Sequence, residues 1–286
     1  MSGHTALVDA HVHLFPPAQA DARAQIAERD GTFAEMYATP AAKMAGVDAL
    51  TAAMDEAGIE SAVAAGFAFR TESDIEAQNA YLSVCAAASR GRIWPLATTN
   101  LALPGWRRAL EAALAAGACG VGELRPHNQG WDPLGPESHV LCELAGAAGL
   151  PLLWHVSEPI GHAYPGKAGG ISPVELYRLA AAHPGVRMVA AHLGGGLSFY
   201  LDMPEVRKAI DSVYFDTAAV SLLYHIESVT RLVALAGADH VIFGSDFPML
   251  PPARQLKRLQ ALLDDDVAKA VCGGNAGILY GNRRAR

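Results

Sequence analysis

The sequence predicts an α/β chain folded as one (β/α)8 barrel. Its 286 residues lie near the ~250 typical of that fold. Eight short apolar runs alternate with longer stretches of helical period. Short Gly-containing returns, such as Gly117-Ala118 before Cys119, join the end of a helix to the next run. Runs buried on both faces and each followed by a helix pair in parallel, and eight of them close on themselves. An open doubly wound sheet would place a nucleotide-binding glycine loop after the first strand, where His-Val-His-Leu-Phe-Pro stands instead.

In chain order the strands are expected at Ala6–Leu14, Ser61–Phe69, Ile93–Asn100, Cys119–Arg125, Pro151–Val156, Arg187–Leu193, Val213–Thr217 and Val241–Phe247. Alternation along the first should point Asp9, His11 and His13 one way and Ala6, Val8, Ala10 and Val12 the other. Helices are expected at Ala45–Ala57, Ser73–Ala88, Trp106–Ala116, Glu137–Ala148, Pro173–Ala182, Glu205–Ile210, Ile226–Ala236 and Pro252–Leu263. Ser172-Pro173 with Glu175 supplies an N-cap and a first-turn proline. Ala-Gly pairs at 57–58, 116–117 and 236–237 read as C-caps. Two stretches break the repeat: an insertion after strand one, Phe15–Met44, expected to form a lid, and a Gly/Pro-rich loop, Pro159–Ile171. Both belong at the C-terminal mouth of a barrel, where loops shape a pocket. No linker divides the chain, so residues 1–286 are expected to be one domain.

A composition 51% hydrophobic and 18% charged supports a large core. The net charge of −7 disfavours nucleic acid as a general partner, and the one cationic cluster, Arg283-Arg284-Ala285-Arg286, reads as a solvated terminus. Cys85, Cys119, Cys142 and Cys272 are widely spaced, which fits buried reduced thiols rather than disulfides or thiolate metal sites. Met1 to Ala6 lacks the features of a signal peptide, and no apolar stretch approaches ~20 residues. A cytoplasmic protein acting on a small molecule, with no membrane partner, is the expectation. Leu- and Ala-rich helix faces leave a homo-oligomer open.

The chemistry lies at the strand ends. His11 and His13 end strand one, Glu123 and Arg125 strand four, His155 strand five, His192 strand six and Asp246 strand eight. A lone His-x-His is weak, and each later residue alone has an ordinary core, capping or turn role. Together they would meet at one face around the barrel axis. An ionised Glu123 in an apolar strand must be paired or metal-bound. Four histidines with two carboxylates suit zinc, with manganese or iron as alternatives, better than magnesium or calcium. Arg125 is a candidate for holding a substrate carboxylate or phosphate, or else for a salt bridge to a ligand-supporting carboxylate. His127, His162, Tyr164, Lys167 and His225 lie on loops at the mouth as substrate-contact candidates, and His127 and Tyr164 are carried as substrate-binding residues. His4, His139, His183 and His240 read as structural or solvated.

The segments Asp9-Ala10-His11-Val12-His13, Trp154-His155, Ala191-His192-Leu193-Gly194-Gly195 and Phe243-Gly244-Ser245-Asp246-Phe247-Pro248 resemble the amidohydrolase superfamily. More narrowly they resemble the amidohydrolase 2 branch, which includes aminocarboxymuconate-semialdehyde decarboxylase. The closing Gly274–Gly281 segment resembles that branch's last helix. The resemblance implies a distorted barrel whose metal is held by His11, His13, His155 and Asp246. His192 would be a further ligand or a polarising group, and Asp246 would manage the proton of a metal-bound water. Glu123 stands where many superfamily hydrolases carry a bridging lysine, as in TatD-type relatives, which implies a site able to hold two ions.

The leading expectation is therefore a metal-dependent hydrolase cleaving an ester, lactone, amide or phosphoester. One or two divalent ions would lower the pKa of bound water from 15.7 toward ~7. Asp246 and His192 would be catalytic, and Glu123 would bridge ions ~3.5–4 Å apart. The alternative is a mononuclear decarboxylase of an unsaturated or aromatic acid, with Arg125 or Lys167 anchoring the carboxylate. A third reading, an inactive barrel serving as a scaffold, sits poorly with a complete ligand set.

Overall fold

The structure is a computed structural model that describes residues 5–281; His4 and the Arg283–Arg286 cluster lie outside them. Eight parallel strands follow one another in sequence order: β1 Val8–His13, β2 Ser61–Ala65, β3 Ile93–Ala97, β4 Gly120–Leu124, β5 Leu152–Trp154, β6 Met188–Ala190, β7 Val213–Asp216 and β8 Val241–Ile242. The segment after β8 closes the ring. Ala10 N–H donates to Phe243 O (2.7 Å), His13 N–H to Phe247 O (2.7 Å) and Asp246 N–H to His11 O (3.0 Å). The fold is the expected (β/α)8 barrel, and each expected strand has its counterpart.

Two apolar layers hold it together. Inside the barrel, Val8, Ala10, Val63, Leu96, Leu153, Val189 and Ile242 pack on one another. Ala276, Leu279 and Tyr280 of the last helix, Asn275–Tyr280, join that inner layer and plug the end opposite the mouth. Outside, the alternate strand residues meet Leu50, Met54, Leu141 and Leu176 of the surrounding helices. Helix Pro173–Ala182 has both halves of its capping box, from Ser172 and Glu175. Gly58, after helix Val47–Ala57, takes the left-handed conformation that a C-cap needs (φ 67°). Among the described residues no helix is long and apolar enough to cross a membrane.

Strict alternation fails in β1. Its register against β2 shifts between Asp9 and Val12, where three steps on β1 match two on β2. Such a bulge adds one residue and inverts the facing of everything beyond it. Val8 and Ala10 therefore join the inner layer, whereas Val12 joins the outer one and His13 turns inward. The same shift occurs in β4 between Val121 and Leu124, beside Glu123. Both strands that deliver two polar groups to the mouth are bulged.

Strand β8 is shorter than expected because the chain leaves regular strand geometry before Asp246, which is left-handed (φ 62°). Beyond β6, residues His192–Asp202 coil tightly. His192 and Leu193 take positive φ (60° and 56°), a conformation sparsely populated by residues with side chains. Gly194 and Gly195 continue that run, and a Cβ on Gly195 would lie 2.8 Å from the Ser157 backbone.

The insertion after β1 forms three short helices, Pro17–Asp21, Arg23–Arg29 and Gly31–Tyr37, with a small core of their own. Phe15, Phe33 and Tyr37 interlock with Phe67 and Phe69 beyond β2, mostly edge-to-face at centroid separations of 4.9–6.3 Å. Arg29 donates to Asp74 through Nε and Nη2, and Gln78 donates to Gln19. The segment is a fastened wall of the mouth.

All four cysteines are buried thiols outside any disulfide. Burial pushes the Cys142 and Cys272 thiols up to about 12 and raises Cys85. Iodoacetamide near about pH 8.5 is expected to leave the native thiols untouched, since the thiolate is the nucleophile. After denaturation four per chain should react. Prompt labelling of native protein would contradict the burial.

Candidate active site

At the C-terminal end of the barrel, His11, His13, Glu123, His155, His192 and Asp246 converge, each from the end of a different expected strand except the β1 pair. Their inner atoms are close. His11 Nε2 lies 3.1 Å from His13 Nε2, and Asp246 Oδ1 is 3.5 Å from His13 Nε2. Glu123 Oε1 is 2.8 Å from His155 Nδ1, 3.5 Å from His192 Nε2 and 3.8 Å from His11 Nε2. Two adjoining triads, His11–His13–Asp246 and Glu123–His155–His192, each keep their donor atoms within 4.8 Å of one another.

Three of these imidazoles have their outer nitrogen engaged. His11 Nδ1 donates to Asp216 Oδ2 (2.7 Å), and His192 Nδ1 to Ala218 O (3.1 Å). His155 Nε2 donates to Gly166 O (3.0 Å). An N–H committed outward leaves the opposite nitrogen's lone pair facing the centre, the arrangement usual around metal-bound histidines. Lone pairs and carboxylate oxygens then converge where they repel one another unless a cation lies between them. The donor set fits a divalent ion of zinc, manganese or iron type.

Protons answer the same demand for positive charge. Burial opposes a charge on His11, but Asp216, then Glu123 and Asp246, outweigh it and push its pKa up to about 10. Burial likewise opposes His192, which its Glu123 hydrogen bond and the Asp246 charge carry up to about 9. Burial works to raise Glu123, yet His155, His192 and His11 hold it well below the carboxylate range. Burial lowers His13, assisted by His11.

Above this floor lies a cavity of about 430 Å³, within the range of small-molecule sites. Tyr37, Phe67, Leu222, Leu223 and Met249 make much of its wall apolar. Arg125 lines it at 2% exposure. Its Nη2 donates to Gly166 O (2.7 Å) and Ala168 O (3.1 Å), and its Nη1 lies 2.7 Å from Met36 Sδ. Its buried Nε has no partner, and among the described residues no carboxylate pairs with it. Of the two roles open to Arg125, the salt bridge to a ligand-supporting carboxylate is not formed.

Tyr164 lines the cavity and donates to Glu158 Oε2 (2.9 Å), and His162 stands beside it. His127 does not reach the site. A short helical turn, Pro126–Gln129, begins directly after Arg125 and swings its half-exposed ring outward to Glu175 Oε1 (3.1 Å). Lys167 is spent on the carbonyls of Ile160 and His162, and exposed His225 lies outside the cavity lining. Sequence reasoning missed Asp216, the buried carboxylate that orients His11 and also accepts from the His192 N–H (2.8 Å). Its signal was available, since Asp216 ends an apolar strand as Glu123 does.

A family model described as amidohydrolase matches residues 8–281. The chain belongs to the amidohydrolase family. No curated protein matches it in sequence. Among solved structures, the chain resembles 5-carboxyvanillate decarboxylase from Sphingomonas paucimobilis with a TM-score of 0.76 and 19% identity, over 97% of this chain and 99% of that one. It resembles 2,6-dihydroxybenzoate decarboxylase from Rhizobium with a TM-score of 0.73 and 14% identity, over 98% and 99%. A Novosphingobium aromaticivorans 5-carboxyvanillate decarboxylase, solved with manganese and 4-hydroxy-3-methoxy-5-nitrobenzoic acid, gives 0.74 and 16%, over 96% of each chain. At these identities the likeness is one of fold.

The expectation of hydrolysis is corrected by these neighbours, which are decarboxylases. It rested on Glu123 as the mark of a hydrolytic site, but a carboxylate among imidazoles serves any cation chemistry. Nor is zinc singled out, for the Novosphingobium structure carries manganese.

Proposed function

We propose that this member of the amidohydrolase family is a divalent-metal-dependent decarboxylase of a small aromatic or unsaturated carboxylic acid. The observation that carries the reading is Arg125, a buried guanidinium in the cavity wall with no carboxylate partner. A buried charge is costly unless paired, so the occupant of the cavity has to bring the anion. The apolar and aromatic walls suit a flat organic ring behind that carboxylate.

His11, His13, Glu123, His155, His192 and Asp246 are the residues that would hold the ion, with one ion per chain expected. The ion supplies Lewis-acid stabilisation of negative charge gathering on the substrate. Arg125 binds and orients the acid, and Tyr164 limits its placement at the mouth. When the bond to CO2 breaks, its electron pair stays on the ring carbon and a proton takes the vacated place. Asp246, buried on the cavity floor, holds and delivers that proton. His192, its Nδ1 held by Ala218 O, keeps Nε2 facing the centre, and the apolar wall excludes water.

Release of CO2 from hydroxybenzoates by manganese- or zinc-loaded protein tests the reading. Metal-dependent release is expected, whereas cleavage of esters or amides without any CO2 would overturn it. Asp216→Asn should weaken metal affinity about 10- to 100-fold, because the orientation of His11 depends on that carboxylate. Competition with a chromogenic chelator measures this.

A further inference from the structure

The two walls of the mouth meet at one residue, Gly166. Gly166, in the loop after β5, donates its N–H to Glu35 Oε1 of the insertion (3.0 Å). Its carbonyl accepts from Arg125 Nη2 (2.7 Å) and from His155 Nε2 (3.0 Å). Gly166 has φ +84°, and a Cβ there would stand 3.1 Å from Met36 Sδ and 3.5 Å from Arg125 Nη2. The loop is also stapled internally, with Lys167 Nζ on Ile160 O and His162 O and over the Tyr164 ring. It is tied to the barrel by Asn128 N–H to Gly169 O (3.0 Å) and Ile171 N–H to His155 O (2.9 Å).

A guanidinium has five donors in a fixed fork, and where it points is set by the acceptors it keeps. Gly166 O and Ala168 O fix one arm of Arg125, which leaves Nε unpaired. The Gly166 carbonyl can hold that arm only where the residue itself is held. Its own N–H has Glu35 as acceptor, from a segment fastened to the barrel through Phe33, Arg29 and Gln19.

We propose that Glu35 is a positioning residue. Through Gly166 it orients Arg125 for the substrate carboxylate and so sets selectivity for acids over their neutral analogues. The proposal rests on the acid-binding reading above. Glu35 touches neither the acid nor the metal donors in this arrangement, so its effect should fall on binding rather than on the chemical step.

The test uses the full-length, metal-loaded protein with 2-hydroxybenzoate and its neutral amide, 2-hydroxybenzamide, as probes. Glu35→Ala is expected to weaken 2-hydroxybenzoate binding about ten-fold, to leave the amide within two-fold and to leave kcat within two-fold. Glu35→Gln keeps an oxygen acceptor and should restore acid binding to within two-fold. Gly166→Ala, which strains the same residue, should likewise weaken acid binding more than amide binding. Equal losses for acid and amide, or a Gln variant as damaged as the Ala variant, would overturn the proposal.

A ligand-free measurement separates this idea from the functional reading. Hydrogen exchange at the Asn128 and Ile171 amides should quicken at least about ten-fold in Glu35→Ala if Glu35 orders the loop on the Arg125 strand. Unchanged exchange overturns the coupling whatever the protein binds. Quickened exchange in a protein that binds neither probe and releases no CO2 would retain the coupling and reject the decarboxylase reading.

Discussion

Asp246→Asn is expected to lower turnover about 10³-fold while the protein keeps its metal. General acid catalysis by a placed side chain contributes roughly 10²- to 10⁴-fold, and an asparagine keeps an oxygen donor but has no exchangeable acid proton. Asp246 is well placed for the role. It is buried, its left-handed backbone turns the side chain onto the cavity floor, and its N–H is tied to the His11 carbonyl. The measurement is kcat alongside elemental analysis of ions per chain. An Asn variant with full metal and unchanged kcat would remove Asp246 from the chemistry.

Arg125→Met should separate function from stability. Truncating one partner of a buried charge pair costs about 2–5 kcal/mol in binding, so kcat/KM for an acid should fall about 10²- to 10³-fold, mainly through KM. Stability should move the other way or not at all. Replacing a buried, unpaired cation by an apolar side chain of similar length is often neutral or stabilising, and Met36 Sδ already stands against the guanidinium. Thermal unfolding read beside the kinetics checks both halves. A variant that loses stability while keeping KM would mean that Arg125 serves the fold and not the substrate.

The barrel was legible in the sequence because its signal is periodic. Apolar runs of strand length, helix-period stretches and caps such as Ser172 with Glu175 recur at the intervals a β/α repeat needs, and β1 to β8 fall within the expected runs. The site was legible wherever a polar residue ended an apolar run, as at Glu123, His155, His192 and Asp246. Asp216 carried that same signal and was passed over because its strand was not read for chemistry. The bulges in β1 and β4 were not legible, since an extra residue leaves no mark in an apolar pattern that is buried on both faces. The outward swing of His127 depends on where a four-residue turn begins, which a loop sequence does not encode by period. Reaction type was the least legible. The metal donors are common to many chemistries, and the feature that favours an acid substrate, an unpaired Arg125, is a property of tertiary contacts.

Turnover of a hydroxybenzoate in D2O enriched with H2¹⁸O, with the metal-loaded protein, tests the central claim most directly. The expected result is CO2 equimolar with a product that carries deuterium at the carbon that bore the carboxylate, and no ¹⁸O in that product. Contradiction would be ¹⁸O in a cleaved product without CO2, or CO2 release that persists at full rate after the metal is removed.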